Sequence, residues 1–237
     1  MKQIIFNCPD NKIQSFLAVL SYCEKHQKDY TFLITNKTEL FLSRIKQLIP
    51  NLITSDVLDN PKNIYVTIDH AKPLTNIDNH SKNLIFPKSI LNFKKQKKID
   101  KVLFIGLITP KRFFIILRFL WKIDKRDFIK SFILLIGFNE LNGSSVHIIN
   151  SKRGRQADNK YWDQSYYELL SNYKYCFCPP GDFKWTYRYY ESLLLDVIPV
   201  VNDINCKSLK FGAIHPLEIK NNNFSFNISK IHDVLFL

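Results

Sequence analysis

Apolar positions along the first 70 residues recur with two alternating periods. Gln3 to Asn7 is an apolar run rich in Ile and Phe, and Ile13, Phe16, Leu17 and Leu20 follow at the spacing of an amphipathic helix. Tyr30 to Ile34 predicts a second strand and Leu40 to Ile49 a second helix. Asn63 to Ile68 predicts a third strand, with Ile64, Val66 and Ile68 at alternate positions. Strands alternating with helices predict a parallel sheet.

From His70 to Lys98 the pattern degrades into Pro, Asn, Ser and Lys, with Pro73 and Pro87 breaking any long element. A domain boundary is expected in this stretch, dividing the chain into residues 1–95 and 96–237. Periodicity restarts at Val102 to Ile108, a buried-strand pattern, and Pro110 to Lys122 predicts a helix with Pro in its first turn. Phe132 to Ile136 and Val146 to Ile149 are further strand candidates. The basic turn Lys152, Arg153, Gly154, Arg155 follows the second of them. Ser165 and Glu168 have the spacing of a capping box, and Tyr166, Leu169 and Leu170 supply the apolar stripe of a helix expected to end near Asn172.

Tyr173 to Cys178 then reads as a buried strand, Pro179 to Asp182 as a turn, and Val197 to Val201 as another buried strand. Between them Tyr190, Leu193, Leu194 and Val197 fall at i, i+3, i+4 and i+7, with Thr186 positioned to cap the start of a helix. Strand, turn, helix and strand make a βαβ unit with a right-handed crossover. The fold class expected is α/β, with two Rossmann-like halves.

Composition refines this picture only slightly, since 46% hydrophobic and 23% charged residues are those of a soluble globular protein. Charge adds more. A formal +13 favours polyanions, meaning nucleic acid, anionic lipid or phosphorylated small molecules. The tract Lys94, Lys95, Lys97, Lys98 and Lys101 reads as a solvated linker, with a membrane-surface or nucleic-acid contact as the alternative. The apolar run Phe113 to Leu117, bounded by Lys111, Arg112 and Arg118, is too short to cross a bilayer, and Met1 to Cys8 is too short for a signal-peptide core. A cytoplasmic location is expected. The five cysteines are odd in number and scattered, so free thiols are expected, and Cys176 and Cys178 lack the second pair a zinc site needs.

Ligands of open α/β sheets bind beyond the carboxyl ends of the strands. Here that place is the Pro179 to Trp185 loop with Gly181, Asp182 and Trp185, and the helix start at Thr186, whose free N–H groups suit a diphosphate. Arg188 lies in the first helical turn with Glu191 three residues later on the same side. A plain surface ion pair is the competing interpretation of these two. Gly181 serves equally as a turn glycine and Trp185 as a core aromatic.

The run Leu170, Ser171, then Tyr175-Cys176-Phe177-Cys178-Pro179-Pro180-Gly181-Asp182, then Arg188, Glu191 and Ile198-Pro199-Val200 resembles the donor-binding signature of exostosin-like glycosyltransferases. That pattern has a serine before an apolar strand, Pro and Gly after it, Arg-x-x-Glu, and a Gly-x-Ile-Pro-Val strand. The resemblance spans about Tyr161 to Asp203, and Asp196 stands where the pattern has Gly. It implies a GT-B architecture of two Rossmann-like domains with an interdomain active site. The second domain would bind a nucleotide-sugar donor as substrate, with no further cofactor. It also implies that Glu191 bonds ribose or sugar hydroxyls and that Arg188 neutralises the departing diphosphate. Arg153 and Arg155 could assist, although a solvated basic loop explains them as well. Precedent in such folds puts the general base in the N-terminal half, where Asp69 and His70 follow a predicted strand and Asp10 is the runner-up.

The chain contains no Asp-x-Asp, so transfer without a divalent metal is expected. Expected partners are the nucleotide-sugar, a saccharide or lipid-linked acceptor such as those of surface polysaccharide or lipopolysaccharide synthesis, and an anionic membrane surface. Nucleic acid is not expected, because the aromatics fall within apolar stripes and no helix-turn-helix, zinc-finger or RRM signature is present. The competing classes are a basic nucleic-acid-binding protein and an inactive donor-fold interaction module.

Overall fold

The computed structural model describes residues 2–7, 13–35, 38–57, 63–69, 74–77, 80–83, 85–130, 139–151, 162–180, 186–204, 211, 213–221, 231 and 236. The chain divides into two compact units, Met1–Ser89 with Lys160–Trp162 and His232–Leu237, and Ile90–Asn159 with Asp163–Ile231.

The first unit begins with β1 (Lys2–Asn7), α1 (Ile13–His26), β2 (Tyr30–Leu33), α2 (Glu39–Leu48), β3 (Thr54–Ser55) and β4 (Ile64–Asp69). These follow the predicted alternation closely. β5 (Leu74–Ile77) and β6 (His80–Asn83) complete a sheet of order β3-β2-β1-β4-β5-β6. The first four strands run parallel, and β4, β5 and β6 pair antiparallel. Ile4, Phe6 and Val66 from the strands meet Phe16 and Leu20 of α1 and Phe41 and Ile45 of α2 in one core. The irregular stretch expected over His70 to Lys98 is therefore corrected: it contains two strands of this sheet and a 3-10 turn, Lys88–Phe93. Polar residues in those strands hid the period that marks the others.

The second unit is built on β7 (Ile99–Gly106), α3 (Pro110–Ile123), α4 (Lys125–Lys130), β8 (Glu140–Asn142) and β9 (Val146–Asn150). It continues with α5 (Gln164–Ser171), β10 (Tyr173–Phe177), α6 (Tyr187–Leu194) and β11 (Ile198–Val200). Its sheet has the order β11-β10-β7-β9-β8, parallel except for β8. Both units thus have the α/β character expected. The strand expected over Phe132 to Ile136 lies outside the described residues.

α3 covers one face of the second sheet. Thr109 Oγ1 accepts from the Arg112 N–H and Pro110 occupies the first turn, so the helix start follows its sequence signals. Ile116, Phe119 and Leu120 face the sheet, and the Phe119 ring stacks on Phe177 at 3.9 Å between centroids. Emptying that contact by Phe177→Ala would cost about 3–5 kcal/mol. α5 is capped two residues earlier than the Ser165–Glu168 box predicts: Asp163 accepts from the Tyr166 N–H at 3.0 Å, and Ser165 donates to Asp163. Aspartate, charged and already extended at that position, takes the helix N–H groups that a box serine would otherwise receive.

Four of the five lysines of the tract expected to be a solvated linker make hydrogen bonds within the second unit, while Lys97 is exposed. Lys94 pairs with Asp196 at 3.1 Å, Lys95 donates to Asn172, Lys98 to the Leu195 carbonyl and Lys101 to Gly143. Lys98 holds the carboxyl end of α6, where orphan carbonyls and the negative dipole end favour a cation. Burial lowers its ammonium to about 8, against the opposing pull of Asp196. Asp196 itself has φ 57. The Val197 N–H returns to the Ser192 carbonyl at 2.8 Å and the Asp196 N–H to Leu193 at 3.2 Å, completing a Schellman ending. The left-handed residue of that motif is usually glycine. Aspartate tolerates the region better than most side chains, which explains how Asp196 fills the glycine position of the signature.

Candidate functional site

The second sheet changes direction at β7. From this central strand the chain passes to β9 on one side and afterwards to β10 and β11 on the other. The carboxyl ends beside such a reversal form the crevice where open α/β sheets bind ligands. Gly106 ends β7 there, and Cys178 continues from the end of β10 with its N–H bonded to the Val200 carbonyl at 2.8 Å.

Arg188, in the first turn of α6, reaches this place. Its guanidinium lies over the Phe104 ring at 5.0 Å and against Gly106, where an added Cβ would stand 2.5 Å from Nη2. The side chain is only 8% exposed, and its Nε has no hydrogen-bond partner among the described residues. A buried cation normally has its donors satisfied. Arg188 is thus a buried arginine with an unpaired donor at the carboxyl end of the central strand, and a guanidinium so placed is able to receive a further hydrogen-bond acceptor.

Glu191 occupies the next turn and is 1% exposed. Its two carboxylate oxygens accept from the Tyr166 hydroxyl at 2.8 Å and the Tyr167 hydroxyl at 3.1 Å. The carboxylate thereby ties α5 to α6. Thr186 holds the N-cap position in extended conformation but makes no side-chain cap bond.

Thr186 also lines a groove of about 730 Å³ running between α3, Phe128 of α4 and the segments following β10 and β11. Phe114, Leu117 and Trp121 make its apolar wall, and Arg118, Lys122, Asn202 and Asp203 supply polar groups at its edge.

Of the remaining predicted site residues, only Asp69 lies among the described ones. Asp69 ends β4 in the first unit, opposite Leu74. His70, Gly181, Asp182, Trp185, Arg153, Arg155 and Asp10 lie outside the described residues. Cys23, Cys176 and Cys178 are free thiols as expected, and burial pushes the Cys178 thiol up. His147 bridges the Tyr173 hydroxyl and Glu140, at 2.5 and 2.6 Å, from the opposite, amino end of β9. No group of three or more metal-ligating side chains occurs among the described residues.

Sequence reasoning missed Gly106, Tyr166 and Tyr167. A lone glycine at the end of a buried strand is a legible sign of close approach by another group. Two adjacent buried tyrosines likewise signal that an acceptor must lie within reach of their hydroxyls. In comparisons with protein-family models, curated proteins and solved structures, nothing matches the chain.

Proposed function

We propose that the protein is a glycosyltransferase that uses a nucleotide-sugar donor, with Arg188 receiving the donor diphosphate at the carboxyl end of β7. The observation that carries this reading is the buried guanidinium with its unpaired Nε, seated on Gly106 at the strand-order reversal. The signature resemblance over Tyr161 to Asp203 supports it from the sequence side.

In the proposed reaction the bond from the sugar anomeric carbon to the diphosphate oxygen breaks, and that carbon bonds to an acceptor hydroxyl oxygen. Negative charge grows on the departing diphosphate, while the hydroxyl proton passes to a base. A fixed cation beside the leaving group stabilises the transition state more than the ground state, and guanidinium binds phosphate oxygens two at a time. Glu191 acts as a positioning residue: by holding Tyr166 and Tyr167 it fixes the helix that presents Arg188. Asp69 and His70 remain the first residues to test as base, by Asp69→Asn and His70→Ala. Metal independence belongs to the same proposal and rests on the absence of Asp-x-Asp from the sequence. The acceptor proposed is a saccharide or lipid-linked saccharide.

Calorimetric titration with a panel of nucleoside diphosphates tests the reading. Micromolar binding of one nucleotide, lost in Arg188→Ala, is the expected result. Sugar transfer in that variant should fall by about 10² to 10³, the usual consequence of removing one preorganised donor to a developing anion. No binding of any nucleotide by the wild type would overturn the proposal. Binding without transfer from any nucleotide-sugar would leave a donor-fold interaction module instead.

A further inference from the structure

The outer face of α3 carries an alternation of cations and exposed aromatic rings. Lys111, Phe114, Arg118 and Trp121 fall at i, i+3, i+7 and i+10, one stripe along α3, and Lys125 opens α4 beyond the extended Asp124. The opposite stripe, Ile116, Phe119 and Leu120, is spent on the core. On the outer stripe Phe114 is 64% exposed and Trp121 55%, and Ile129 of α4 is 68% exposed. Lys125 lies over the Trp121 ring at 5.3 Å. Asp124, between the two helices, is occupied by the Ser144 and Ser145 hydroxyls and the Arg126 N–H, and Asp203 also lines the groove beside this face.

We propose that this face of α3 and α4 docks on an anionic lipid bilayer. Aromatic rings among lysines and arginines suit the interface, where rings enter the acyl boundary and long cationic side chains reach back to headgroup phosphates. Charge complementarity selects the partner, since Lys111, Arg118, Lys122, Lys125 and Arg126 are all exposed on this surface. The apolar groove gives the second argument. Phe114, Leu117, Arg118 and Trp121 line the groove, and Phe114, Arg118 and Trp121 also belong to the outer face, so a docked bilayer would meet an apolar mouth carrying Arg118 and Lys122 against the single carboxylate Asp203. A nucleic-acid strand would match the cations but leave the groove wall and Ile129 in water. Docking does not depend on the transferase reading, and its assay contains no nucleotide.

The test is vesicle flotation of the full chain at physiological salt, using phosphatidylcholine alone or with phosphatidylglycerol at about three parts in ten. The wild type is expected to float with the anionic vesicles and to remain largely unbound with the neutral ones. Arg118→Glu/Lys125→Glu should lower the partition coefficient at least tenfold, since each cation near an anionic surface contributes about fivefold. Phe114→Ser/Trp121→Ser should also lower it at least tenfold through the apolar area no longer buried, about tenfold or more for each large ring. Thermal unfolding checks that each variant is folded. If either is not, quenching of wild-type tryptophan fluorescence by brominated acyl chains in anionic vesicles, absent with neutral vesicles, carries the decision. Failure of the wild type to float or to be quenched overturns the proposal, as does undiminished binding by folded variants. Salt-sensitive binding of an oligonucleotide without vesicle binding would assign the face to nucleic acid instead.

Discussion

Replacing Gly106 by alanine tests the seat of Arg188 without touching the charge. The new methyl would lie 2.5 Å from Nη2 and 3.4 Å from Cζ of Arg188, and 3.2 Å from Cζ of Phe104. Comfortable heavy-atom contact is about 3.5–4.0 Å, so the guanidinium must withdraw by about 1 Å. The clash falls mainly on the far end of a flexible side chain, so the stability cost should sit near the bottom of the overpacking range, about 1 kcal/mol. In a chain of this size that is about 2–4 °C in unfolding midpoint. Function should suffer far more, because a 1 Å displacement of a positioned group can cost about 10²-fold.

Nucleoside diphosphate affinity, sugar transfer and thermal unfolding, measured on Gly106→Ala, Arg188→Ala and the double variant, complete a cycle. The expected result is that alanine at 106 weakens binding strongly when Arg188 is present and has little further effect once Arg188 is gone, since the two sites act through one contact. Wild-type affinity in Gly106→Ala, or a full additive loss in the double variant, would refute the seat. Absence of nucleotide binding in the wild type is a separate outcome, which removes the donor reading rather than the geometry.

Glu191→Ala should destabilise the second unit by about 2–5 kcal/mol in urea unfolding, because two buried tyrosine hydroxyls lose their acceptor, whereas Tyr167→Phe should cost about 1 kcal/mol. Equal small effects from both would show that the carboxylate does not hold the tyrosines. Asp196→Val should cost about 1–2 kcal/mol at φ 57, while Asp196→Gly should be neutral or stabilising despite losing Lys94, and a reversed order in denaturant midpoints would contradict the left-handed assignment. Lys98 has a folded-state value near 8 against about 10.5 when unfolded, so between those values the unfolded chain holds more protons and stability rises with pH. The wild type should therefore gain stability relative to Lys98→Met from pH 8 to pH 10.5, and a flat difference would remove the burial penalty as its cause. Transfer measured in excess EDTA should match the untreated rate. Loss restored by Mg²⁺ or Mn²⁺ would assign the diphosphate to a metal.

Much of the fold was legible because burial imposes period. Val102 to Ile105, Tyr175 to Phe177 and Ile198 to Val200 are buried on both faces, and such runs admit few readings other than a central parallel strand. Leu74–Ile77 and His80–Asn83 were illegible for the complementary reason: antiparallel strands toward a sheet edge need not be apolar on both faces, and Thr75, Asn76, Ser81 and Lys82 carry no alternation to detect. The lysine tract misled through the same logic of composition. Five lysines in eight positions look solvated until the partners of Lys94, Lys95 and Lys98 at two helix ends are known, and those partners, Asp196, Asn172 and Leu195, lie roughly 80 to 100 residues away in sequence.

The site was half legible, and the division follows from what spacing can encode. That Arg188 and Glu191 share a side of one helix is local and follows from 3.6 residues per turn. What each side chain meets is not local: Glu191 finds Tyr166 and Tyr167 on the preceding helix, while Arg188 finds the one position in β7 that has no Cβ. A surface ion pair would have left both residues exposed and sensitive to salt, with little effect on stability. Both are instead buried and carry different tasks, one satisfied by hydroxyls and the other retaining an unpaired donor. The unsatisfied group is a permanent cation that can only donate, so what completes it must be an acceptor, and a phosphate oxygen is the acceptor for which a guanidinium has the strongest preference.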